Sequence, residues 1–302
     1  MNFKACIKSM RLRTLPLSLA GIVLGVFLAA ADYHVSALTV VFLVLTTVSL
    51  QVLSNLSNEL GDTLHGTDSA DSRQGVHYSL MDGELTVKQM KWLIAGAVGA
   101  SCLFGLAMIW SSFGTLLGLI PITFILTGAV AIRAAMHYTL GKNPYGYRGL
   151  GDLFVFVFFG IATVCGGYYL CAHEIASWFI ALPACAIGCF SVGVLNVNNI
   201  RDMKTDAATR VTVAMKLGQR KARVYQTFLI VLGWVFMTAY CLLRIFSIWH
   251  YLYVLTLPLF VLHLRGVWTR QDRELDPMLP LLVMSSFAFA LLAGLGFAVF
   301  LF

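Results

Sequence analysis

Two short stretches of this chain set carboxamide and carboxylate side chains at helical spacing. The first runs Asn55-Leu56-Ser57-Asn58-Glu59-Leu60-Gly61-Asp62 and continues through Gly66 to Asp68 and Asp71. The second reads Asn198-Asn199-Ile200-Arg201-Asp202-Met203-Lys204-Thr205-Asp206. Asn55, Asn58 and Asp62 stand at i, i+3 and i+7, and so do Asn199, Asp202 and Asp206. On a helix that spacing gathers each triplet on one face. Oxygen donors suit a hard cation, and Mg²⁺ typically takes one or two carboxylates, completing its shell with water and substrate phosphates. Two such clusters facing each other would hold a diphosphate through bridging metal ions. Arg73, Lys142, Arg148, Arg201 and Lys204 would complement the remaining negative charge. For either motif alone a plainer reading stays open, because Asn and Asp also cap helices at solvated loop ends.

The elements that must position these groups are set by the solvent. Of 302 residues, 59% are hydrophobic and only 12% charged, with mean hydropathy +0.82, against about 25% charged in soluble domains. So much apolar surface cannot be hidden in water. Apolar stretches of bilayer length fall at roughly 14–31, 36–57, 92–111, 113–135, 152–172, 178–198, 224–243, 249–265 and 279–302. Each must be a helix, since lipid offers no partner to an open backbone group. The expectation is an all-α membrane protein of about nine transmembrane helices, a single domain over 1–302, with its active-site cavity on the cytoplasmic side.

Charge gives the orientation. With a cytoplasmic N-terminus and an external C-terminus, 20 of the 21 Lys and Arg residues lie inside and Arg244 alone lies outside. The net charge of +7 is therefore topological, and no nucleic-acid motif accompanies it. The expected location is the cell (plasma or inner) membrane. Basic residues before the first apolar run resemble a leader, but that run is long enough to be a retained first span. The seven cysteines form no CxxC pair. Both polar motifs sit where a span meets the cytoplasm, in the long connections at about 58–91 and 199–223. Such groups normally line a cavity. Asp272, Glu274 and Asp276 read as solvated surface. Acids in membrane proteins also mark ion pathways, so a transporter is the reading from another class; against it, the acids cluster at one face.

These motifs resemble the two signatures of the UbiA superfamily of aromatic prenyltransferases, and the nine-helix count agrees with that fold. Tyr145-Gly146-Tyr147-Arg148-Gly149-Leu150-Gly151-Asp152 is similar to the segment of 1,4-dihydroxy-2-naphthoate polyprenyltransferases of menaquinone synthesis, and Arg13-Thr14-Leu15-Pro16 matches their N-terminal pattern. The resemblance spans residue 11 to about 218. It departs at Glu59, where Asp is usual, at Gly75-Val76-His77-Tyr78, which replaces a Gly-Pro pair, and at Asp152, often Glu. What it implies is transfer of a polyprenyl chain from its diphosphate to an aromatic acceptor, with Mg²⁺ at Asp62, Asp68, Asp202 and Asp206. Glu59 is a further candidate ligand. For dihydroxynaphthoate, CO₂ would leave. Arg148 offers a planar fork for a carboxylate or phosphate, and Tyr147 is a candidate substrate contact. Another aromatic acceptor, such as 4-hydroxybenzoate or homogentisate, remains the neighbouring expectation.

Overall fold

The computed structural model describes residues 2–66, 79–207, 209–244 and 247–298. Among the described residues, nine helical segments are long and apolar enough to cross a membrane. Chain order begins with α1 (Phe3–Met10), α2 (Leu15–Asp32), α3 (Ala37–Leu64), α4 (Val87–Phe113) and α5 (Leu119–His137). Then come α6 (Gly151–Val155), a π-helical stretch (Phe156–Ala162), α7 (Thr163–Ala172), α8 (Ala181–Arg201) and the single turn α9 (Met203–Asp206). α10 (Val213–Leu243), α11 (Leu257–Thr269) and α12 (Met278–Ala298) complete the chain. There is no β-strand among the described residues beyond one isolated bridge, Arg148 to Val211.

The ends of these helices have local causes. Thr86 and Gln89 form a capping box that starts α4 five residues before its apolar run. Thr212 caps α10, and Gly218, at φ +74°, breaks that helix after its first turn. α1 turns into α2 through Arg11, which adopts the left-handed conformation at φ +50°. α2 therefore begins beside the first motif and runs to the opposite end of the bundle. There Asp32 pairs with Arg244 at 2.6 Å, so the one basic residue read as external has a fixed partner.

Packing follows from small residues, because lipid tails give helices no hydrophobic reason to associate. A Cβ at Gly160 would stand 2.6 Å from Gly188 Cα, which lets the π-helical stretch lie directly on α8. Gly25 similarly admits the backbone of α7. Phe190 forms the centre of the core, with Phe260 and Phe289 at 4.8 and 4.9 Å between ring centroids. The outside is equally apolar: Leu119, Trp178 and Leu117 are among the most exposed side chains. A surface of that kind is stable against acyl chains, not water. This is a multi-pass membrane protein.

Candidate active site

The last two turns of α3 carry the first motif. Asp62 is buried, and Tyr147 donates its phenol O–H to Asp62 Oδ1 at 2.7 Å. Asn58 Oδ1 accepts from Thr139 Oγ at 3.3 Å. Asn55 is turned toward the N-terminal segment: its Nδ2 donates to Met10 O and to Thr14 Oγ, and its Oδ1 accepts from Gln51. Glu59 is fully buried, with Oε1 accepting from Ser9 Oγ at 3.1 Å and from Leu80 N–H at 2.8 Å. It ties α1 to the turn before α4, while its Oε2 has no partner among the described residues.

The second motif continues from the end of α8 through α9. Arg201, almost fully buried, grips both oxygens of Asp202 with its fork at 2.7 and 2.6 Å, and also holds Asp276 at 2.7 Å. Lys204 pairs with Asp272 at 2.7 Å. Asp272 and Asp276 are thus not merely solvated surface, since they lash the connection between α11 and α12 to the motif. Asp206 is buried and accepts from the Arg210 guanidinium. Asn199 is buried beside it at the wall of a narrow cleft.

Tyr147 clasps the two motifs together. Its hydroxyl reaches Asp62, and its carbonyl accepts from Val211 N–H at 3.0 Å just beyond the second motif. Electrostatics give the same picture. Burial pushes the Asp206 carboxyl above the usual carboxylate range; Arg210 opposes this, and the Asp202 and Asp62 charges add to it. Burial alone would lower the Arg210 pKa, but the carboxylates of Asp62 and Asp206 more than offset that and raise it. Arg210 thus stands in the joint field of both motifs. Tyr138 lies in the same field: burial pushes its phenol up to about 12, with Arg210 lowering it and Asp62 and Asp152 raising it.

No three His, Cys, Asp or Glu side chains stand close enough among the described residues to form a ready cage for a metal ion. The donor set still fits a hard cation that brings its own phosphate ligands. Asp62 and Asp206 each keep one carboxylate oxygen outside the hydrogen bonds just described, and one or two carboxylates are what Mg²⁺ takes in such sites.

The UbiA prenyltransferase family profile matches residues 18–287, nearly the whole of this architecture. The chain belongs to that family. Among UbiA relatives, 1,4-dihydroxy-2-naphthoate octaprenyltransferase of Haemophilus influenzae is 40% identical over 290 residues, covering 95% of this chain and 93% of the relative. The Escherichia coli protein of the same name is 38% identical over 276 residues, covering 91% and 87%. The fold matches a UbiA homologue from Aeropyrum pernix with TM-score 0.67 at 15% identity, each chain covered in full. It also matches a UbiA homologue from Archaeoglobus fulgidus bound to DMAPP and Mg²⁺, with TM-score 0.66 at 14% identity over 98% of this chain and 99% of the other.

In this UbiA chain helix packing brings Asp206 into the field of Asp62 and Asp202. Lys142 and Arg148 are exposed at the same face, and Arg148 has no side-chain partner among the described residues. Asp68, Arg73 and His77 lie outside the described residues. Sequence reasoning missed Arg210 and Tyr138. The Asp206–Arg210 spacing of i, i+4 is a recognisable acid–base pair. Tyr138 reaches the site because the following loop folds back, with Gly146 N–H donating to Tyr138 O at 3.0 Å, and local sequence carries no sign of that.

Proposed function

We propose that this chain transfers a polyprenyl group from its diphosphate to 1,4-dihydroxy-2-naphthoate, releasing diphosphate and CO₂ and giving the hydroquinone form of demethylmenaquinone. The observation that carries this reading is the meeting of two acid motifs at one end of a membrane bundle, in a chain 38–40% identical to relatives of that name. It is a single domain of the cell (plasma or inner) membrane, with the N-terminus cytoplasmic and the C-terminus external, as the charge distribution favours.

Asp62, Asp202 and Asp206, with Asp68 and Glu59 as further candidates, would hold Mg²⁺. The ion, when bound, supplies charge that stabilises the leaving diphosphate. The chain's own residues do the rest. Tyr147 fixes the Asp62 carboxylate, and Arg201 fixes Asp202. Arg210, already desolvated, offers a planar cation to phosphate oxygens as the diphosphate enters. Asn58, Asn199 and Lys142 lie along the same face for polar contacts to donor and acceptor. Arg148 presents a fork suited to the acceptor's carboxylate. Lys204 and Arg201 act through the second motif, which they brace. Asn55 acts through the N-terminal segment, which it anchors.

The test uses membranes containing the chain, farnesyl diphosphate, Mg²⁺ and a panel of aromatic acceptors, with products identified by mass. Dihydroxynaphthoate labelled in its carboxyl group should release the label as gas while prenylated product forms. Label retained in product, or faster turnover of 4-hydroxybenzoate, refutes the acceptor. Proteoliposome ion flux with no prenyl transfer to any acceptor refutes the enzyme reading.

A further inference from the structure

We propose that the narrow cleft beside the second motif is a subsite for an ortho-hydroxy aromatic acid, in which Asp152 takes the proton of the acceptor's ring hydroxyl. This rests on the functional reading above and adds the recognition chemistry to it. The cleft is walled by Tyr138, Gly149, Gly151, Asp152, Leu195 and Asn199. Its free space is about 10 Å³, room for one water-sized group. It therefore admits a hydroxyl and leaves an aromatic ring at its mouth.

The walls are cleared for this. A Cβ at Gly151 would stand 2.9 Å from the Tyr138 hydroxyl and 3.3 Å from Leu195 Cδ2, closing the space. Gly149, at φ +79°, brings bare backbone to the lip, and a Cβ there would be 3.1 Å from Lys216 Nζ. An ammonium thus stands at the mouth beside the exposed Arg148. Inside, half-buried Asp152 receives the Tyr225 O–H on Oδ2 at 3.0 Å. Its other oxygen has no side-chain partner among the described residues. A carboxylate held this way, with one oxygen steadied and one open, is a general base in position.

The arrangement reads an acceptor from two directions. Its hydroxyl enters toward Asp152, and its carboxylate stays outside on Lys216 and Arg148. Those two groups must then be neighbours on the ring, as in 1,4-dihydroxy-2-naphthoate. A para acid such as 4-hydroxybenzoate holds them on opposite edges and cannot satisfy both. Tyr138 and Arg210 both line this cleft, and the Tyr138 phenol feels the Asp62 charge of the first motif as well as that of Asp152.

The step balances as follows. Asp152 takes the hydroxyl proton, and the ring carbon bearing the carboxylate forms a bond to the allylic carbon. The allylic C–O bond breaks, its electron pair leaving with diphosphate. Loss of CO₂ returns the C–C electron pair to the ring, and the ring oxygen recovers its proton from Asp152.

The charged and titratable groups around Asp152 are Tyr225 on α10, Tyr138 and Arg210 at the cleft, Lys216 at its lip, and Cys189 of α8 behind Tyr225. The full-length chain in detergent is assayed with farnesyl diphosphate, Mg²⁺ and dihydroxynaphthoate. Asp152→Asn should lower kcat at neutral pH by about a hundredfold or more, with KM for farnesyl diphosphate unchanged. Its residual rate should climb about tenfold per pH unit, because an acceptor ionised in solution needs no base. Asp152→Glu should restore most of the rate, and Tyr225→Phe should lose about tenfold. Turnover of Asp152→Asn close to wild type, or a loss that ignores pH, overturns the proposal while wild-type transfer keeps the functional reading. Failure of the wild-type chain to prenylate any acceptor overturns both. Should Asp152→Asn no longer bind farnesyl thiolodiphosphate, Tyr225→Phe decides, and an unchanged kcat in that variant is the contrary result.

Discussion

Tyr147→Phe isolates the support of a proposed metal ligand from the ligand itself. The phenol donates to Asp62 Oδ1 at 2.7 Å, and its ring packs edge-on against His65 at 5.3 Å. Phenylalanine keeps the ring contact with His65 and removes the hydrogen bond to Asp62. A hydrogen bond to a charged group contributes about 1.5–3 kcal/mol, and each 1.4 kcal/mol is about tenfold. Groups that orient ligands change metal affinity or activity by about 10–100-fold. The half-activating Mg²⁺ concentration, measured at saturating farnesyl diphosphate, should therefore rise about tenfold or more. In an Asp62→Asn background the same change should have little further effect, because the two groups act as a unit. A half-activating Mg²⁺ concentration that stays at the wild-type value would refute the assignment of Tyr147 as the brace of Asp62.

Asp62→Asn and Asp202→Asn should each cut turnover by about a hundredfold or more, about 2.7 kcal/mol of barrier, and EDTA should abolish activity that Mg²⁺ restores; steady-state kinetics check both. Arg201→Met leaves buried Asp202 without its fork and should destabilise the fold by about 3–5 kcal/mol, read from equilibrium unfolding in mixed detergent. Gly61→Ala places a Cβ 2.7 Å from the Thr139 carbonyl carbon; overpacking there costs about 1–3 kcal/mol and shifts Asp62, so turnover should fall along with stability. Reporter fusions at the two termini should report opposite compartments, and a shared compartment contradicts the orientation.

The spans were legible because lipid removes the alternatives: a long apolar run can only be a helix. Their ends were less so. The run read as 92–111 is Val87–Phe113 in the fold, because Thr86 and Gln89 cap a polar first turn that hydropathy does not register. Within the site, Asn58 and Asp62 lie on one continuous helix as their spacing implies, whereas the second triplet is broken at Asp202, between α8 and α9. The partner of Arg201 did not follow from spacing, since Asp276 lies 75 residues away and is delivered by helix packing. Asn55 and Glu59 share the motif's spacing, yet their hydrogen bonds run to the N-terminal segment and the turn before α4. Periodicity identifies a face and leaves open what stands opposite it.

The seven π-helical residues Phe156–Ala162 separate two demands on one membrane span. Gly160 must meet Gly188 on α8, while Asp152 one or two turns earlier must face Tyr225 on α10. In an uninterrupted α-helix each residue adds about 100°, so one phase would have to serve both contacts. The widened stretch lets them be set independently. A single-residue deletion within 156–162 would rotate α6 by about 100° against α7, and helix assembly would survive while the cleft lost its carboxylate. An insertion or deletion of one residue among homologues is therefore better tolerated here than in α8, whose unbroken helix carries Phe190 of the core and the first residues of the second motif, Asn198 to Arg201.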